Sequence, residues 1–333
     1  MVVEKRDFKQ SERPSEYSLD SATTLCYTLK ESGVYESNFL ERLANAPQPD
    51  RELTIVAFSH AESMNQVFPQ WVRIAYRRGP MIYEPYDMNM PPVLTPRKPV
   101  HYKFDPPLTE RGNIVAQTYG RGLALAGITP YEIYCSPDMK SIQTAKSMIA
   151  GLDTSYTTIC IEPSLMAYRQ MYPHNIQDVF LSPKTYSGMG YPINLDYRPY
   201  QLITISESVD DYNKRIHRFM REKVARIEQN HVIIISDNCM VEMTHNKYME
   251  TVEDIMNATR KTSCQMNCIR LKPNYVKLID SGIMPFTRCL YDSNPALWSD
   301  APHKLATPNH PDVERTTHNN NKDNKDNNNN NKQ

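Results

Sequence analysis

Residues 55–65 of this 333-residue chain read IVAFSHAESMN, an apolar run that ends in a histidine. Open α/β sheets carry their chemistry at the carboxyl ends of their strands, so His60 stands where a catalytic side chain would stand. A histidine in that place can act as a nucleophile or as a general acid or base. Its neighbours Ser59 and Ser63 are short and uncharged, which raises the question of whether this is an active site or what is left of one.

Two further strand ends are expected to meet His60. The run YEIYCS (131–136) leads into CSPDMKSIQTA, which contains Lys140 and opens a helix whose N-terminus favours anions. The run HVIIISD (231–237) ends in Asp237. Because the carboxyl ends of parallel strands lie at one edge of a sheet, these residues are predicted to share a pocket.

The elements that must position these residues alternate along the chain. Strands are predicted at 52–58, 131–136, 156–163 and 231–237, with two later runs, NCIRL and YVKLI; helices are predicted at 109–127, 136–151 and 208–230. The near-continuous apolar strands suit a parallel sheet. The sequence therefore predicts an α/β fold, a three-layer sandwich with a mostly parallel central sheet and helices on both faces.

Cap residues place the ends of two of these helices. Thr109 is predicted as an N-cap and Gly127 as the terminator of the first helix. Ser136 is predicted as the N-cap of the second helix, with Pro137 at the first helical position and Gly151 at its end. The buried face of the first helix is predicted to contain Ile114, Val115, Tyr119, Leu123 and Ala126.

Composition narrows the class of protein. The 38 basic and 38 acidic residues cancel, so neither nucleic acid nor an anionic membrane is expected as a general partner. No apolar run approaches about 20 residues, and the charged first twenty residues lack the apolar core of a secretory signal. Seven widely spaced cysteines are interpreted as reduced thiols. The sequence predicts a cytoplasmic protein without a metal or another cofactor; the one close pair, Cys264 and Cys268, lacks the further ligands of a zinc site.

The chain divides into three predicted regions. Residues 1–50 form a largely flexible extension with a weakly helical stretch at 21–46, and residues 51–303 form the folded domain. Residues 304–333 include a tract of asparagines that cannot bury apolar surface and is expected to be disordered.

The ordered segments of the domain resemble a known family. IVAFSHAESMNQVFPQW, PLTERGNIVAQTYG, YCSPDMKSIQTAKSMIAGL, IEPSL and VIIISDNCMVEM follow the order found in the histidine phosphatase, or phosphoglycerate-mutase-like, superfamily. The closest resemblance is to its branch of ubiquitin-associated and SH3-domain-containing phosphatases and ecdysteroid-phosphate phosphatase, over roughly residues 50 to 300. The resemblance implies a phosphatase-like domain, and pairing of two copies through it.

The resemblance also implies a mechanism, and most of its parts are replaced. In the family a histidine attacks phosphorus, three arginines clamp the phosphoryl oxygens, a glutamate serves as general acid and a second histidine donates to the same oxygens. By position the nucleophile matches His60. The three arginines fall on Ser59, Ser63 and Lys140, the acid on Ala167 and the second histidine on Asp237.

These replacements predict a site that does not turn over phosphomonoesters. Asp237 inverts a charge, repels a phosphate dianion and is expected to favour protonated His60, which cannot attack. The surviving residues would then form a mutually satisfied polar cluster of His60, Lys140, Asp237 and Glu62, or a pocket that binds a phosphorylated ligand weakly. Two alternatives stay open: residual catalysis by His60, and a metal held by His60, Asp237 and Glu62.

Two further segments could contact a protein partner. Residues 164–204 contain many tyrosines, which either cover the segment's own small core or form an adhesive surface: Tyr168, Tyr172, Tyr186, Tyr191, Tyr197 and Tyr200. The segment MIYEPYDMNMPP (81–92) is interpreted as the rim of the pocket or as a docking edge.

Overall fold

The computed structural model describes residues 52–279, except for 174, 203–205, 245–247, 262 and 273–274. Its centre is a sheet of six strands in the order β3-β2-β4-β1-β5-β6. The strands are β1 (Leu53–Ser59), β2 (Glu132–Cys135), β3 (Thr158–Ile161), β4 (His231–Ser236), β5 (Met266–Lys272) and β6 (Tyr275–Ile279). The first four pair in parallel, and β5 and β6 are antiparallel additions at one edge.

Helices cover both faces of the sheet. They are α1 (Met64–Val67), α2 (Trp71–Ala75), α3 (Glu110–Leu125), α4 (Met139–Leu152), α5 (Ile176–Val179), α6 (Pro183–Gly188), α7 (Val209–Glu222), α8 (Asn238–Thr244) and α9 (Val252–Thr259). Successive residues of β1 point to opposite faces: Ile55 belongs to a cluster with α7, α8 and α9, whereas Val56 belongs to a cluster with α3 and α4. This arrangement confirms the predicted three-layer α/β sandwich.

The central strands are buried on both sides. All seven residues of β1 are buried, and in β4 only the first residue is partly exposed. Parallel strands covered by helices on both faces need apolar side chains at every position, which explains the continuous runs in the sequence. A third cluster, built on Trp71, Met90 and Tyr102, lies under the segment between α1 and α3.

The cap predictions hold for α3 and fail for α4. Thr109 accepts a hydrogen bond from the Gly112 amide at 2.9 Å, and Gly127 follows the helix with φ 77°. In α4 the N-cap is Asp138 instead of Ser136, because its carboxylate accepts the Ser141 amide at 2.9 Å. On the predicted buried face of α3, Ile114 is 65% exposed and Ala126 is also exposed, so the assignment of these two residues to the buried face was wrong.

Gly151 does not end α4 as predicted; the helix ends at Leu152, and Asp153 is its C-cap, with φ 54°. The glycine is needed for packing. A Cβ atom at Gly151 would lie 1.9 Å from the Gln117 carbonyl oxygen, and one at Gly120 would lie 2.1 Å from that of Met148. The backbones of α3 and α4 are therefore in direct contact.

The helix predicted at 208–230 ends earlier than expected. Ser208 forms a capping box with Asp211, α7 ends at Glu222, and a 3-10 turn follows at Val224–Arg226. No helix within the described residues is long and apolar enough to cross a membrane. The predicted helical stretch at 21–46 and the predicted tail at 304–333 lie outside the described residues.

Candidate functional site

His60 follows β1 directly and is 6% exposed. Its amide donates to the Ser236 carbonyl of β4 at 2.8 Å, which fixes the backbone at the strand end. On the side chain, Nδ1 lies 2.9 Å from the carbonyl oxygen of Ala61. A carbonyl oxygen can only accept, so Nδ1 carries the proton of the neutral ring and Nε2 keeps its lone pair.

The imidazole of His60 is neutral at physiological pH. Burial and then the positive charge of Lys140 lower its pKa to about 3, against smaller opposing contributions from Asp138 and the Ala61 carbonyl. Asp237 is not among these influences, and the expectation that it would favour protonated His60 was wrong. The cause is the low polarity of the surroundings, which disfavours the charged form.

The second turn of α4 contacts the residue that follows the histidine. The amide of Ala61 donates to the Thr144 hydroxyl at 2.9 Å, and that hydroxyl donates to the Lys140 carbonyl oxygen at 2.7 Å. Lys140 is half-buried, and its charge acts on His60, Asp138 and Asp237. Within the described part of the chain its ammonium forms neither an ion pair nor a hydrogen bond.

Asp237 follows β4, as predicted, and is 4% exposed. Its Oδ1 accepts the Met240 amide of α8 at 3.1 Å, and the Tyr212 hydroxyl lies 3.2 and 3.3 Å from its two oxygens. Burial raises the pKa of this carboxyl group, although the Met240 amide and Lys140 oppose the shift. Where the family resemblance implies a histidine that donates to phosphoryl oxygens, this chain therefore has a buried, hydrogen-bonded aspartate.

The other three replaced positions are buried and serve local structure. The Ser59 hydroxyl accepts the Gln265 amide at 2.8 Å, and Ser63 exchanges hydrogen bonds with Gln66 in the cap of α1. Ala167 is 4% exposed. None of these three side chains could bind an anion as a guanidinium would.

Glu62 does not belong to the pocket cluster. Its Oε1 accepts hydrogen bonds from Thr109 at 2.7 Å and Asn89 at 3.0 Å, and Arg111 lies 3.6 Å from its Oε2. It secures the start of α3, and the predicted mutually satisfied cluster of four side chains was wrong. Within the described residues no group of three histidine, cysteine, aspartate or glutamate side chains could hold a metal.

Three acidic residues near the site were missed by sequence reasoning. Asp138 is 2% exposed and acts on His60. Glu207 forms a buried ion pair with Arg215 at 2.7 Å, and the same guanidinium donates to the carbonyl oxygens at 164 and 166. Glu162 accepts from the Ser164 amide at 2.7 Å. The only signal in the sequence was for Asp138, an aspartate three residues after the end of β2.

The tyrosines of 164–204 mainly pack into or against the two main core clusters of the domain, and not around a small core of their own segment. Tyr168 and Tyr186 are buried, and three others are half-buried against the two main clusters: Tyr191, Tyr197 and Tyr200. Tyr172 packs edge-to-face against Phe180 with ring centroids 5.4 Å apart. Burial and the charges of Asp138 and Asp237 raise the pKa of its hydroxyl group.

The segment 81–92 exposes some side chains and buries others. Met81 is 88% exposed and Met88 98% exposed, whereas Met90 belongs to the Trp71 cluster. The Tyr83 hydroxyl donates to the Pro91 carbonyl at 2.8 Å, which closes the segment on itself. A cleft of about 410 Å³ begins at the end of the segment, at Pro91 and Pro92, and continues to Ile114 and Tyr191; none of the predicted catalytic positions lines it.

The fold and the position of His60 define a three-layer α/β domain with a histidine at the carboxyl edge of its sheet. Its sequence profile match makes the class more specific: the chain belongs to the histidine phosphatase superfamily (branch 1), matched over residues 97–281. That match begins downstream of β1 and His60.

Curated relatives and a solved structure agree with this assignment. The chain is 25% identical over 245 residues to the ecdysteroid-phosphate phosphatase of Drosophila melanogaster, covering 70% of this chain and 32% of the relative. It is 25% identical over 211 residues to ubiquitin-associated and SH3 domain-containing protein B of Mus musculus, covering 60% and 32%. The chain thus spans about a third of the length of these relatives.

The fold is similar to that of the ecdysone phosphate phosphatase from Bombyx mori, whose crystal structure contains tungstate. The TM-score is 0.58 at 22% sequence identity, and the alignment covers 68% of this chain and 92% of the other.

Proposed function

We propose that this domain is a catalytically inactive member of its superfamily, a pseudophosphatase that acts by binding. The observation that carries the proposal is the charge around His60. Lys140 is the cation that acts most strongly on the ring, and the same ammonium also acts on the carboxyl groups of Asp138 and Asp237. A phosphate dianion would have to compete with both.

Magnitudes support the loss of turnover. Removing one well-placed donor to a developing oxyanion costs about 10²–10³ in rate. Ser59 and Ser63 use their hydroxyl groups within the fold, and Ala167 has no proton to give to a leaving group. At about 4 Å and an effective dielectric near 20, each pair of unit charges is worth about 4 kcal/mol, so one carboxylate offsets much of what Lys140 offers.

A second function has its own support. His60 has a neutral ring with a free lone pair on Nε2, and Lys140 keeps an ammonium that no described residue pairs with. A nucleophile and one phosphate anchor are the minimum for a weak phosphomonoesterase that forms a phosphohistidine.

One assay separates the two functions. Purified protein is given p-nitrophenyl phosphate from pH 4 to 8, beside His60→Ala and, as a matched control, His101→Ala outside the site. The inactive domain gives no turnover above His60→Ala. Turnover within about a hundredfold of active relatives, lost in His60→Ala and kept in His101→Ala, contradicts the proposal.

A converse experiment restores the implied residues. Five substitutions are combined: Ser59→Arg, Ser63→Arg, Lys140→Arg, Ala167→Glu and Asp237→His. We expect measurable phosphatase activity, at some loss of stability because Ser59 and Ser63 hold local hydrogen bonds. A folded but inactive variant would indicate that the pocket itself has closed.

The binding role extends to partner and location. We place a protein partner on the exposed segment around Met81 and Met88, since large exposed apolar side chains mark contact surfaces. The alternative partner on this segment is a second copy of the chain. Sedimentation equilibrium of the wild type and of the double variant Met81→Ser/Met88→Ser distinguishes the two.

The five described cysteines are free thiols, which supports a cytoplasmic location. We propose residues 51–303 as the domain and residues 1–50 and 304–333 as flanking segments.

A further inference from the structure

Asp138 lies where the helix N-terminus meets the histidine. The Ser136 amide bonds to the Ile235 carbonyl of β4 at 2.9 Å, which fixes the turn before α4. One turn further along α4, the Thr144 hydroxyl accepts the amide of Ala61, the residue after His60, at 2.9 Å. Asp138 is 2% exposed, so its charge has little access to solvent.

The amide groups that open α4 are already occupied by carboxylates of this chain. The Ser141 amide donates to Oδ1 of Asp138 at 2.9 Å, and the Met139 amide donates to Oδ1 of Asp105 at 2.5 Å. The start of a helix normally attracts an external anion through these groups and the helix dipole. Here two internal anions take that place.

The carboxylates of Asp105 and Asp138 differ in the positive charge that is paired with them. Asp105 forms a buried ion pair with Arg97 at 2.8 Å. Asp138 has hydrogen bonds from Ser136 and Ser141 and no ion pair within the described residues. Burial alone would favour its neutral form, but the charge of Lys140 and these hydrogen bonds outweigh burial and hold the pKa of Asp138 below its ordinary value.

We propose that Asp138 is the specificity-determining residue of this site, a fixed internal anion that takes the place of a phosphoryl group and excludes dianionic ligands. This inference rests on the proposed function and names a reason why the site would not bind a phosphate dianion. The site is then expected to bind uncharged or singly charged ligands. A dianion would compete for the Lys140 ammonium with the carboxylate of Asp138, which is a fixed part of the chain.

The test removes the charge and keeps the cap. Asparagine caps helices as well as aspartate does, so Asp138→Asn retains the local structure. Binding of orthophosphate and of tungstate is measured by calorimetry at pH 7.5. We expect Asp138→Asn to bind each at least tenfold more tightly than the wild type, a change of about 1.4 kcal/mol.

Two controls make the result specific. Asp153→Asn removes the same charge at the exposed far end of α4 and is expected to bind no more tightly than wild type. Asp138→Ser, another good cap, is expected to repeat the gain. If neither folded variant at 138 exceeds Asp153→Asn, the inference is overturned.

The outcome is independent of the catalytic test. Asp138→Asn is expected to gain affinity without turnover, since the general acid and the arginine clamps are still missing. Hydrolysis of p-nitrophenyl phosphate by the wild type would contradict the proposed function; unchanged phosphate affinity in an inactive protein would contradict only the role of Asp138.

Discussion

The neutral imidazole of His60 makes stability depend on pH. A histidine that resists protonation in the folded state stabilises nothing above its unfolded pKa of about 6.5, where both states are neutral. As the pH falls below 6.5 the unfolded chain takes up a proton that the folded chain refuses, and stability is lost until the folded pKa of about 3 is reached. One pKa unit corresponds to about 1.4 kcal/mol, so the full loss is about 5 kcal/mol.

The perturbation is His60→Gln, which removes the titrating ring. Urea unfolding is measured at pH 7.5, 6.5, 5.5 and 4.5 for both proteins. Between pH 6.5 and 4.5 the wild type is expected to lose about 2 kcal/mol more than the variant. His101→Gln, at a half-buried histidine outside the site, controls for loss of an imidazole. Parallel pH profiles for wild type and His60→Gln would refute a neutral His60.

Three substitutions test how the site is supported, each by urea unfolding. Gly120→Ala places a Cβ 2.1 Å from the Met148 carbonyl oxygen and is expected to cost about 1–3 kcal/mol, as overpacking does; an unchanged midpoint would mean that the helices separate easily. Arg215→Met leaves the Glu207 carboxylate buried without its partner and is expected to cost about 3–5 kcal/mol, whereas a loss below 1 kcal/mol would contradict the buried pair. Thr109→Ala removes the cap of α3 and is expected to cost about 1–2 kcal/mol, with Thr118→Ala on the exposed face as the control.

The sheet could be predicted because its signals are local. Each central strand is a short apolar run, and burial on both faces leaves no alternation to misinterpret. The position of His60 and Asp237 at one edge of the sheet then follows from the parallel pairing of β1 with β4.

The ends of α4 could not be predicted, because two neighbouring residue types compete there. Ser136 and Asp138 are both good N-caps, and Pro137 at a first helical position favoured the serine. In the structure Asp138 accepts bonds from both Ser136 and Ser141, which settles the competition. Gly151 was interpreted as a terminator because its close packing against Gln117 depends on a residue 34 positions away.

The ion-pair and hydrogen-bond partners of the charged residues near the site could not be predicted from the sequence, because they depend on distant parts of the chain. Glu62 follows the histidine by two residues, yet it bonds to Thr109 and Asn89, and only the packing of α3 decides this. The same holds for Arg215 and Glu207, whose ion pair fixes carbonyl oxygens from a segment about fifty residues upstream.

The direct backbone contact between α3 and α4 has a consequence for substitutions near His60. Two glycines let the helices touch, so the spacing of α3 and α4 is set by main-chain packing at Gly120 and Gly151 and not by the side chains around His60. Substitutions around His60 are therefore expected to leave the packing of these two helices intact.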